Sequence, residues 1–196
     1  MGGAATKIAA LTQDALAAYQ AGDLERAETL FKKAASAPSA PPQTAYNFAV
    51  FLRREGRGKD ALYWLDRCLR SAPDHRNAQI ERGLALIDLG QLQQAGDCLQ
   101  AFPDDPDALR GVSVAMFKLG YWEKAAEAVQ GLAVQASAED RLLLIRALTE
   151  LGRLDEAEAA GAALKAERAE LRADVSKALT RRSKGRFSLI ESSALV

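Results

Sequence analysis

The chain has 196 residues, is 48% hydrophobic and 6% aromatic, and balances 26 Lys and Arg against 26 Asp and Glu. That is enough apolar material for one or two compact domains or one continuous array. The neutral balance argues against nucleic acid as the main partner, because such binders carry a basic excess. Two cysteines, Cys68 and Cys98, and a single histidine, His75, fall short of a four-ligand zinc site, so no metal or cofactor is expected. No stretch approaches ~20 consecutive apolar residues, so membrane insertion is not expected and the reading is a cytoplasmic protein.

Along the chain a glycine is followed five residues later by an alanine, five times: Gly22/Ala27, Gly56/Ala61, Gly90/Ala95, Gly120/Ala125 and Gly152/Ala157. Successive glycines stand 34, 34, 30 and 32 residues apart, a period that marks stacked repeats. Each repeat reads as two antiparallel helices joined at the glycine. The repeats cover about 8–41, 42–75, 76–105, 106–137 and 138–168 within a solenoid spanning 6–168. In the second repeat the helices are expected over 43–55 and 59–71, and in the third over 76–89 and 92–101. The third repeat carries Gly96 and stops at Phe102-Pro103, where the interval shortens by about one helical turn. A charged capping helix is expected over 169–183, and a tail or linker over 184–196.

Glycine suits the hinge because a left-handed residue commonly follows the last helical turn. The alanine lets the two helices of a repeat approach closely. Large residues four further on and a second set three beyond those fall on one helical face, which places Cys68 as a small buried hydrophobe. Trp64 and Trp122 read as packing residues. Leu24, Leu92, Trp122 and Leu154, two after their glycines, are expected to plug the hairpin ends.

The segments GDLERAETLFKKA, GRGKDALYWLDRCLRSAP, GQLQQAGDCLQAF, GYWEKAAEAV and GRLDEAEAA resemble the second halves of tetratricopeptide repeats, with Pro73 at the closing position. First helices match less well: Ala15, Ala49, Gly83 and Ser113 fit the small crossing position and Ile145 departs from it. The resemblance implies an all-α, right-handed α-solenoid of about five repeats with a C-terminal capping helix. It also implies that the first helices line a concave binding groove. The carboxylate clamp of one subset of that family is not formed. Asn47 stands where a clamp asparagine would, but the other places hold Thr12, Leu16, Asn77 and Glu81.

No enzyme constellation is present: there is no GxSxG and no P-loop, and the glycines sit at hinges. Asp104, Asp105 and Asp107 read as an acidic helix start. Offsets from the glycines place an apolar stripe in the groove: Tyr46, Val50, Ile80, Leu84, Val114 and Phe117. Asn47, Arg53, Arg54, Asn77 and Arg110 edge it. Such a stripe fits a peptide anchored by its own apolar side chains. The expected function is a protein-interaction module, adaptor or chaperone-like, holding an apolar or amphipathic segment of a partner protein. Two alternatives are a substrate-recruiting domain of a larger enzyme, such as a protein glycosyltransferase, and a self-associating scaffold.

Overall fold

A computed structural model describes residues 2–180. The basic run from Arg181 to Arg186 and the expected tail 184–196 lie outside them. The described residues form α1 (Gly2–Gln20), α2 (Leu24–Ala35), α3 (Pro42–Arg54), α4 (Gly58–Ser71), α5 (Arg76–Asp88) and α6 (Leu92–Leu99). These are followed by α7 (Pro106–Leu119), α8 (Trp122–Leu132), α9 (Ala138–Leu151), α10 (Leu154–Glu167) and α11 (Arg172–Ala178). Short 3-10 turns cover Ala133–Gln135 and Ala169–Leu171.

The chain divides into two compact units, Met1–Leu99 and Gln100–Val196. The first holds the hairpins α1/α2, α3/α4 and α5/α6. The second holds α7/α8 and α9/α10, with α11 packed on α9 and α10. The division falls at the end of α6, where the sequence interval shortens. Helix α6 has eight residues and stops two short of the expected 101.

All five hinges are built alike. Gly22, Gly56, Gly90, Gly120 and Gly152 have φ between 74° and 83°. The N–H after each glycine donates to the carbonyl five residues back, at 2.9 Å in every case, from Asp23 to Ala18 through Arg153 to Leu148. The glycine N–H donates to the carbonyl three back. This paired bonding is the Schellman motif, which satisfies the last helical carbonyls. The five hinge alanines are 0% exposed.

The crossing of each hairpin trades volume between its two helices. Seven before and nine after the hinge glycine stand Ala15/Phe31, Ala49/Leu65, Gly83/Leu99, Ser113/Val129 and Ile145/Gly161, all ten buried. The departure at Ile145 is thus matched by a glycine on α10. A Cβ on Gly161 would stand 2.9 Å from Val175 Cγ1, so α11 closes onto that glycine.

In unit 1, Phe31, Phe48 and Phe51 pack ring against ring, with centroids 5.4–6.2 Å apart, and Trp64 joins Phe48 at 5.1 Å. Cys68 is fully buried, and burial pushes its thiol pKa up, keeping it protonated as a packing residue. Leu24 differs from its expected role as a plug: it is 42% exposed. Leu92, Trp122 and Leu154 are half-buried. Asp105 caps α7, its Oδ1 accepting from Asp107 N at 3.0 Å and Ala108 N at 3.1 Å, as the acidic start suggested.

The capping segment is shorter than a continuous helix over 169–183. Helix α10 ends at Glu167, Arg168 leaves helical geometry at φ −132°, and α11 begins again at Arg172. Val175 and Ala178 on α11 are buried, so the segment covers the α9/α10 hairpin.

Candidate functional site

In unit 1 the first helices α1, α3 and α5 carry the expected surface residues. Leu16 is 43% exposed. Tyr46, Asn47, Val50, Arg53 and Leu84 are half-buried, and Arg54 and Asn77 are exposed. Ile80 is not part of the exposed stripe. It is 5% exposed, buried on the same side of α5 as the half-buried Leu84 one turn on.

Arg53 is committed to the fold. Its Nε donates to Glu81 Oε1 at 2.6 Å and its Nη1 to Asp88 Oδ2 at 3.3 Å. Burial works against the guanidinium charge, but the two carboxylates outweigh it and hold the Arg53 pKa above its ordinary value. Glu81, 8% exposed, is therefore neutralised within the protein. The other polar groups form a second chain. Gln43 Nε2 donates to Asn47 Oδ1 at 2.9 Å, and Gln43 Oε1 lies 3.1 Å from His75 Nε2. His75 Nδ1 accepts from Ala78 N at 3.1 Å, capping α5. The imidazole also stacks on Tyr46, with centroids 5.1 Å apart.

In unit 2 the first helices are α7 and α9. Val114 and Phe117 are half-buried. The Arg146 guanidinium lies 4.7 Å from the Phe117 ring centroid, so an apolar face is paired with a cation. Beside it, α9 and α11 enclose a recess of about 260 Å³ lined by Leu142, Arg146, Glu150, Asp174 and Lys177. Arg110 is held in place: it donates to Asp140 at 3.1 Å, to Asp107 at 3.1 Å and to the Gln135 carbonyl at 2.8 Å. It fastens α7 to the loop that starts α9, which Ser137 and Asp140 close as a reciprocal capping box.

Two arrangements escaped the offset reading. One is the Gln43–His75 link, which joins residues 32 apart. The other is an arginine directly after the hinge glycine, at Arg57 and Arg153. Arg57 bonds Glu28 of the preceding hairpin at 2.7 Å and Asp60 at 2.7 Å. Arg153 repeats this with Glu123 at 2.8 Å and Glu156 at 2.7 Å. The shared Gly-Arg of GRGKD and GRLDE was the available signal. On the second-helix side of unit 1, Glu28, Lys32, Phe48, Leu52, Trp64 and Arg67 line an open recess of about 400 Å³, with Tyr63 59% exposed at its edge.

Among the described residues no cluster of three or more His, Cys, Asp and Glu could hold a metal ion, and no helix is long and apolar enough to cross a membrane.

No family model and no curated protein matches the chain. Solved structures do. A tetratricopeptide repeat protein from Parabacteroides merdae superposes with TM-score 0.73 at 22% identity, covering 89% of this chain and 74% of the other. MamA from Desulfovibrio magneticus RS-1 gives 0.69 at 23% identity, covering 85% and 96%. A thermophilic TPR protein of Thermus thermophilus gives 0.62 at 23% identity, covering 88% and 98%. The chain has the tetratricopeptide-repeat α-solenoid fold. Tetratricopeptide-repeat hairpins present side chains from their first helices on one face and from their second helices on the other.

Proposed function

We propose that this tetratricopeptide-repeat chain is an adaptor or chaperone-like binding module that holds an apolar or amphipathic segment of a partner protein against its first-helix faces. In unit 1 the contact residues are Leu16, Tyr46, Asn47, Val50, Arg54, Asn77 and Leu84. In unit 2 they are Val114 and Phe117, with Leu142 and Arg146 beside them. Arg53, Arg110 and Ile80 support these faces from within, the first two through ion pairs and Ile80 through packing. Binding is the role we read for this face. The repeats 8–41, 42–75, 76–105, 106–137 and 138–168 are the segments over which we read this face.

The observation that supports this reading most is the apolar surface left on first helices whose opposite faces are fully packed. Leu16 is 43% exposed on a helix that buries Ala15 and Ala18 completely or nearly so. One exposed leucine is ordinary; the reading draws on its lying on the same first-helix side as Tyr46, Val50 and Leu84, which together make a continuous apolar surface of the kind a partner covers. The test is affinity capture from the source cells with wild type, Leu16→Glu, Val50→Glu and Leu84→Glu. We expect a partner retained by wild type and lost from the variants, with the helical circular dichroism unchanged. Equal capture by all four would sink the assignment of this face.

A further inference from the structure

The hydrogen-bond chain that starts at α5 has only one consistent direction. The Ala78 backbone N–H can only donate; it is shared between the His75 carbonyl at 2.9 Å and His75 Nδ1 at 3.1 Å, so the nitrogen facing it must present a lone pair and not a second hydrogen. Nδ1 is then the bare nitrogen of a neutral imidazole, and the ring proton sits on Nε2. Nε2–H faces Gln43 Oε1 at 3.1 Å, which fixes the carbonyl side of that amide toward the histidine. The NH2 side is turned the other way and donates to Asn47 Oδ1 at 2.9 Å. A backbone donor that cannot be reversed thus sets the orientation of two side-chain amides in sequence. Asn47 has its carbonyl engaged, and its Nδ2 hydrogens have no acceptor among the described residues. The tilted stack of His75 on Tyr46, 33° between ring planes, restrains the imidazole.

We infer that His75 is a positioning residue that fixes the polarity of Asn47, so that the first-helix face of unit 1 presents an amide donor and takes its partner through a backbone carbonyl oxygen. This rests on the reading of that face as the binding surface. A neutral donor among Tyr46, Val50 and Leu84 suits a neutral acceptor, and an extended segment offers a carbonyl beside each apolar side chain it inserts.

The orientation is testable without any ligand. His75 is the only histidine, so a long-range proton–nitrogen correlation on the 15N-labelled full chain reports it alone. At pH 8 we expect the proton on Nε2 and a bare Nδ1. A proton on Nδ1, or rapid averaging of the two forms, would overturn the inference.

Gln43→Glu then reverses the last link. The new carboxylate still accepts from Nε2–H but cannot donate, so Asn47 must turn its NH2 inward. Position 43 lies in the first turn of α3, where an acidic residue is favoured, so the variant folds. We expect the His75 signals to hold and the Asn47 side-chain NH2 to shift and exchange more slowly. Unchanged Asn47 signals would also overturn it. A peptide selected on wild type from a random library should bind Gln43→Glu roughly tenfold more weakly, the scale of one buried hydrogen bond. Equal affinity would remove the specificity claim. Failure to select any peptide would remove the binding reading, while the tautomer result stood on its own.

Discussion

A methyl group on Gly83 would stand 2.5 Å from Leu99 Cγ and 2.6 Å from its Cδ2. Leu99 is 0% exposed, the last residue of α6, and has no open direction in which to swing. Gly83→Ala therefore overpacks the α5/α6 crossing. We expect a loss of about 1–3 kcal/mol, despite the better helix propensity of alanine, read as a lower urea midpoint. An unchanged midpoint would mean that α6 shifts freely. The hydrogen bonds at His75 and the ion pairs at Arg53 are of another kind. The Gln43–His75 bond and both Arg53 pairs join residues 28 to 35 apart, so their partners are decided by how one hairpin lies on the next.

Elements differ in what sets them. The five Schellman hinges depend on backbone sterics, because a side chain at φ near +80° meets its own carbonyl. Gly120→Ala should cost about 1–2 kcal/mol with little change in helical content. Arg153→Met, which removes two ion pairs between exposed side chains, should lower the thermal midpoint by less than Gly120→Ala. The reverse order in a thermal scan would show that the arginine clasp, not the turn, holds that hairpin.

The same distinction explains what could be read from the chain. Hinges, the hinge alanines and the Asp105 cap were legible, because each is decided within a few residues. The stripe was legible only in part. Tyr46, Val50 and Leu84 are half-buried, whereas Ile80, one turn before Leu84 on the same side of α5, is buried, and nothing local in the sequence distinguishes the two. The break at Arg168 was hidden for a related reason. The segment around it has high helix propensity, and the 3-10 turn that follows lets α11 fold back so that Val175 closes on Gly161.

In the whole molecule, repeats that contact only their neighbours respond to damage locally. Hydrogen exchange on Gly83→Ala should show faster exchange in α3 to α6 and unchanged protection in α9 to α11, which belong to the other unit. A loss spread evenly from α1 to α11 would reveal one cooperative block. The volume trade at the crossings also limits how the chain can be recombined. Repeats of equal length look interchangeable, yet the two helices of a hairpin cannot be dealt out separately. Joining α5 to α10 would set Gly83 with Gly161 and leave a hole. The reciprocal joining of α9 to α6 would set Ile145 with Leu99 and force the helices apart. The unit that can be duplicated, deleted or grafted is therefore the whole hairpin, and the fifth can travel only with α11.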